Sequence, residues 1–138
     1  MGNKFITEYF TIRIGDINYG GHMGNDKALL LFQDARISFF RSLGYSELNI
    51  GEDTGIILGE AYLKFKKEIF LNDNVRVFIT ISDIKEASFI MNYSVFKQED
   101  DKEAISGYTK IVTFYYPNKK VVKIPNEFLE KIEKYKKD

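Results

Sequence analysis

The chain contains no cysteine. That excludes disulfides, a thiol nucleophile, and zinc or iron–sulfur centres held by thiolates. Histidine is nearly absent as well, with His22 alone. One imidazole without thiolates falls short of the three protein ligands a catalytic zinc usually takes, so a catalytic zinc site is not expected. No charge of one sign dominates: 20 basic residues face 20 acidic ones, and the basic surplus typical of nucleic-acid binders is missing. No apolar run approaches the roughly 20 residues of a membrane span. The stretch from Met1 to Tyr9 lacks the charged and apolar regions of a secretory signal. A cytoplasmic protein with no nucleic-acid or membrane partner is expected. There is no G-x-S-x-G elbow for a serine hydrolase, and no glycine-rich phosphate cradle.

What remains is a chain of 138 residues, 44% hydrophobic and 29% charged. That suits one domain over residues 1–138 with a substantial core. Phe5 to Ile14 is rich in aromatic and β-branched residues and reads as a strand. Gly15 to Gly24 is glycine-dense and polar, hence a loop. Asn25-Asp26 marks a helix start, with Asn25 or Gly24 as N-cap and Asp26 favoured by the helix dipole. The run Lys27 to Leu43 has neither proline nor glycine, and Gly44 follows as a stop. Its apolar residues, Ala28, Leu29, Leu31, Phe32, Ala35, Phe39 and Leu43, fall at helical spacing. Leu30, Ile37 and Phe40 widen the stripe, so this helix is expected to be mostly buried.

Strands follow over Gly55–Phe70, Val75–Ile81, Ser88–Gln98 and Ala104–Tyr116, with turns at Asn72-Asp73-Asn74 and Lys85-Glu86. A terminal helix over Glu127–Lys136 has Asn126 as a candidate cap, with Glu130–Lys134 and Glu133–Lys137 as candidate pairs. The order is strand, long apolar helix, then four strands. An α+β fold accounts for it: an antiparallel sheet of about five strands wrapped around the central helix, each burying the other's apolar face. Edge strands and the outer sheet face then need cover, which predicts a homo-oligomer, dimer or tetramer.

The stretch Ile12-Arg13-Ile14-Gly15-Asp16-Ile17-Asn18-Tyr19-Gly20-Gly21-His22-Met23-Gly24-Asn25 resembles the signature of hotdog-fold acyl-CoA thioesterases of the 4-hydroxybenzoyl-CoA type. That signature is a strand, then D-x-D-x-x-G-H-x-N-N, then the central helix. Phe32-Gln33-Asp34-Ala35-Arg36 is similar to the family's aromatic-x-E-A-R element, and Lys123-Ile124-Pro125 to its closing segment. The resemblance implies the hotdog fold and hydrolysis of an acyl-CoA or related thioester, with the acyl group held between subunits and neither a metal nor a bound cofactor needed. It also implies that the catalytic carboxylate belongs at position 18, where this chain has Asn18. Asp16, Gly21 and His22 match the motif.

The chemistry needs a polarised carbonyl and a proton acceptor. Backbone N–H groups at the glycine loop and helix N-terminus suit the developing oxyanion. Asn18 can orient a water but cannot take its proton near neutral pH. The catalytic candidates are therefore Asn18, Asp16 and His22. The substrate-contact candidates are Gly21, Asn25 and Asp26, and Asp26 is also a possible base. The bland readings are a turn residue for Asn18, a loop carboxylate bonding backbone N–H groups for Asp16, an N-cap for Asn25 and a dipole-favoured charge for Asp26. Lys64, Lys66, Lys67 and Arg76 are read as a solvated strand face that could meet coenzyme A phosphates. Two rival functions remain. One is an enoyl-CoA hydratase on the same fold, because Gly15-Asp16-Ile17-Asn18 and His22 also resemble G-D-x-N-P-x-H. The other is a non-catalytic acyl-CoA or acyl-carrier binding protein.

Overall fold

A computed structural model of the chain describes residues 3–18, 20–21 and 23–137. The elements in chain order are β1 (Phe5–Ile6), β2 (Phe10–Thr11), α1 (Asn25–Ser42), β3 (Gly55–Phe65), β4 (Asn74–Ser82), β5 (Ser88–Lys97), β6 (Glu103–Tyr115), β7 (Lys120–Val121) and α2 (Asn126–Glu133). The sheet is antiparallel, in the order β1-β4-β5-β6-β3, with β2 also pairing β4 and β7 pairing β6. Its inner face packs on α1, the α+β arrangement expected from the sequence.

Alternation fixes which face is buried. Val75, Val77, Ile79 and Ile81 on β4, and Phe89, Met91, Tyr93 and Val95 on β5, all point inward and are buried. From α1, Ala28, Leu31, Phe32, Ala35, Phe39 and Phe40 meet them. At the centre, the rings of Phe32 and Tyr93 stack with centroids 4.2 Å apart. Gly107 of β6 leaves room for that stack. A Cβ there would lie 2.1 Å from the Tyr62 carbonyl oxygen and 3.0 Å from Phe32 Cε2.

Several expectations need correction. The single first strand is two short pieces. Thr7 receives the Val77 N–H on its own hydroxyl, while its backbone N–H donates to the Val77 carbonyl. A side chain thus substitutes for one strand acceptor, and pairing resumes at Phe10 with the register moved by one residue. The strand expected to run from Gly55 to Phe70 ends at Phe65, because Lys66 and Lys67 both turn their N–H groups to the Ala104 carbonyl. Asn25 is not a cap. It is the first residue of α1, after Gly24, which offers no side chain. Asn126 likewise begins α2, behind Pro125. That helix ends at Glu133, so the expected Glu130–Lys134 and Glu133–Lys137 pairs extend past its end. The i,i+4 pair within it is Glu127–Lys131, at 3.7 Å.

Leu29 and Leu30 break the expectation of a buried helix: they are 39% and 50% exposed. They border a groove between α1 and β3, together with Leu48, Ile56, Leu58 and Ala61. That groove lies on the open side of the sheet. The opposite edge, β4, is covered by β1 and β2, and further along by the C-terminal segment, where Lys137 N–H donates to the Ile81 carbonyl.

Candidate active site

The loop after β2 is built from short-range bonds made by its own polar side chains. A 3₁₀ turn spans Ile14–Asp16, and Asp16 Oδ2 accepts the Arg13 N–H at 2.9 Å. Ile17 then bridges to Met23, closing the glycine loop at its stem. Inside it, Asn18 Oδ1 accepts the Gly20 N–H at 2.9 Å, and the Asn18 carbonyl accepts the Gly21 N–H at 3.0 Å. Gly21 has φ +80, a left-handed backbone that glycine adopts without a Cβ clash. Met23 N–H donates to the Ile69 carbonyl at 2.8 Å. His22 lies outside the described residues.

This places the candidates among the described residues. Asp16 caps a turn, which is the bland reading. Gly21 also serves the turn, since its N–H is already engaged. The amides of Gly20, Gly21 and Met23 therefore all face protein acceptors. Those three amides are engaged within the protein and are not free to meet an oxyanion. The first turn of α1 is better placed. An α-helix leaves its first N–H groups without intrahelical partners, and Gly24 brings no side chain to cap them.

Asn18 and Asp26 both approach Gly24. A Cβ built on Gly24 would sit 2.9 Å from Asp26 Oδ1 and 3.8 Å from Asn18 Nδ2. Asn18 turns Oδ1 back to Gly20, and its Nδ2 and Cβ both lie near Gly24, as does Asp26 Oδ1. A donor and an anionic acceptor thus flank the bare N-terminus of α1, held open by the glycine between them. A cavity of about 280 Å³ adjoins it, with Met23, Asn25, Phe65, Ile69 and Ile105 in its walls. Asp16, Lys27 and the exposed Asp34 line a separate cleft on the other side of Met23.

The basic residues are mostly neutralised. Lys66 pairs with Glu103, and Lys67 with Asp100. Burial pushes the Glu103 carboxyl up, but hydrogen bonds from Lys66 and Ser94 and the charges of Lys66 and Lys64 together hold it below its ordinary value. Arg76 stacks its guanidinium over the Tyr9 and Phe78 rings. Lys64 and Lys66 keep the expected exposure to solvent, and Lys67 is half-buried.

The sequence marks Gln33 and Arg36 as polar residues in an apolar helix but not their partners, which the structure supplies in a polar network beneath the groove. Arg36 is buried, with Nε 2.5 Å from Glu47 Oε2, and its Nη1 donates to the Tyr93 hydroxyl at 3.0 Å. Gln33 also reaches Glu47. The Tyr93 hydroxyl lies 2.7 Å from Thr109 Oγ1. Burial pushes the Tyr93 phenol above its ordinary value despite Arg36, so it stays neutral. Burial opposes the Arg36 charge, but Tyr93 and Glu47 hold it in place. The available signal was an arginine inside an apolar helical stripe, where a buried cation requires a partner. Among the described residues, no cluster of His, Asp and Glu has the make-up of a metal site, and no helix is long and apolar enough to cross a membrane.

A central helix wrapped by an antiparallel sheet, with a glycine loop feeding the helix N-terminus, defines a hotdog-fold protein. Residues 12–132 match the thioesterase-like superfamily, and the chain belongs to it. Over 103 residues the chain is 34% identical to a protein of Aquifex aeolicus (strain VF5) that carries an esterase name; the match covers 72% of this chain and 75% of that one. Among solved structures it is similar to a 1,4-dihydroxy-2-naphthoyl-CoA thioesterase from Synechocystis (TM-score 0.84, 20% identity, 94% and 96% of the two chains). It is also similar to a Staphylococcus aureus protein solved in complex with CoA (TM-score 0.84, 17% identity, 100% and 89%). At those identities the two structures establish the fold. The superfamily's reaction is hydrolysis of a thioester.

Proposed function

We propose that this chain hydrolyses an acyl-CoA thioester at the N-terminus of α1, with Asp26 as general base. The observation that carries the reading is the placement of Asp26 Oδ1 and Asn18 Nδ2 about Gly24. The position where the family motif implies a carboxylate holds an amide here, and the Asp26 carboxylate on the next element approaches the same glycine. Asn18 Nδ2 orients the attacking water, and Asp26 takes its proton. The oxyanion is met by first-turn N–H groups and the helix dipole. Asn25 begins that turn and borders the cavity, which suits it to the thioester. His22, in the same loop, is assigned to substrate contact by its place in the sequence.

The acyl-CoA assignment draws support from the CoA-linked neighbours above. The protein works as a homo-oligomer, because β3 is an open edge and the apolar groove beside it is uncovered; the acyl group enters between subunits.

A screen over short, long and aryl acyl-CoAs, reading free thiol, tests the function. Turnover of at least one acyl group is expected. Tight thioester binding without thiol release would favour the binding-protein reading instead. Water addition to a trans-enoyl-CoA would favour the hydratase.

A further inference from the structure

The inner stripe of β5 runs Phe89, Met91, Tyr93, Val95 and then Lys97, a lysine where alternation calls for an apolar residue. Its side chain is only 7% exposed. The ammonium lies 3.1 Å from Asp73 Oδ2 and donates to the Glu68 carbonyl at 3.1 Å. The same Asp73 oxygen accepts the Phe70 N–H at 2.8 Å. Lys97 and Asp73 therefore grip the backbone on both sides of Ile69. Ile69 is buried, and its carbonyl is the acceptor for the Met23 N–H. Met23 is the stem of the glycine loop, one residue before the Gly24 cap, and it bridges to Ile17 across that loop. The Asp73 carbonyl also accepts the Ile12 N–H, so both arms of the loop are tied to one short segment.

We propose that Lys97, with Asp73, is a positioning residue for the reaction. It touches no substrate. It fixes the Ile69 carbonyl, and through Met23 it sets where the glycine loop meets α1 and where Asn18 stands relative to Asp26. A buried cation in place of an apolar residue is costly unless paired, and a purely apolar contact there would leave the two peptide groups ungripped. Misplacing a site by about 1 Å can cost on the order of a hundredfold in rate.

The kinetic part rests on the thioesterase reading, so the test has two arms. The variants are Lys97→Met, which keeps length without charge, Lys97→Arg and Asp73→Asn. The first arm measures kcat and KM. Lys97→Met and Asp73→Asn should each lower kcat about tenfold or more with KM changed less than about threefold, and Lys97→Arg should recover most of it. Ile132→Val, in α2 and remote from the loop, controls for general destabilisation and should leave kcat alone. The second arm follows amide exchange at Met23 by NMR, which should quicken at least about tenfold in Lys97→Met and in Asp73→Asn. Unchanged Met23 exchange in the uncharged variants, or Lys97→Arg as impaired as Lys97→Met, overturns the proposal. If Lys97→Met does not fold, Asp73→Asn decides by the same readings. If the wild type cleaves no thioester, the exchange arm alone judges the clamp, and that failure belongs to the proposed function.

Discussion

Asn18 accepts the Gly20 N–H on Oδ1 and lies close to Gly24, at the start of α1. The motif marked its position as the one implied to be catalytic, and the chemistry of an amide showed that it cannot act alone. The sequence could not show that Asp26, eight residues on, approaches the same glycine. That proximity depends on the Ile17–Met23 bridge folding the loop back on the helix start. Asp16 was legible in the other direction: an aspartate three residues after Arg13 caps a turn, and it does so. His22 remains a proposal from sequence position. Replacing His22 with alanine should lower kcat/KM at least about tenfold, the lower range for a positioned polarising or acid–base group. Steady-state kinetics at neutral pH check it, and unchanged constants would return His22 to a structural role.

At the scale of elements, binary patterning made α1 and β4 to β6 legible, because a buried face must repeat with the period of its backbone. It failed where tertiary bonds interrupt a pattern. Thr7 breaks the first strand with its hydroxyl, and Ala104 captures two consecutive amides and ends β3 at Phe65. Leu29 and Leu30 carry the apolar signature of core residues, yet they face a groove, since periodicity cannot distinguish core from interface. Gly107 was equally silent in the sequence, where one glycine in a strand suggests only a bulge or a close approach. The Tyr62 carbonyl makes it the latter. Gly107→Ala should therefore destabilise the fold by about 1–3 kcal/mol, the usual cost of overpacking a tight site. Chemical denaturation measures it, and a wild-type midpoint would show that β3 and β6 can separate to admit a methyl group.

At the scale of the molecule, the two sheet edges are treated differently. β4 is covered by β1, β2 and the C-terminal segment, whereas β3 leaves its backbone and the flanking Leu58 and Leu30 open. An open apolar edge strand is a template for pairing with another chain. The sequence predicted association from the need to cover a sheet; the structure adds the edge that would do it. The wild type should run as an oligomer in light scattering at micromolar concentration. Leu58→Lys should shift it toward the 16.1 kDa monomer and lower activity in parallel, because on the proposed reading the acyl group enters between subunits. A wild type that is monomeric throughout would remove this part of the account.

The central claim is that the carboxylate missing at Asn18 is supplied across Gly24 by Asp26. The direct measurement compares kcat for wild type, Asp26→Asn, Asp16→Asn and the exchange variant Asn18→Asp/Asp26→Asn on one acyl-CoA. Losing the general base should cost about 10²–10⁴ in rate, so Asp26→Asn should fall at least about a hundredfold. Asp16→Asn, which weakens only a turn, should fall far less. The exchange variant should regain a measurable share of the loss by returning a carboxylate to the same space. An Asp26→Asn variant that turns over at the wild-type rate would contradict the claim.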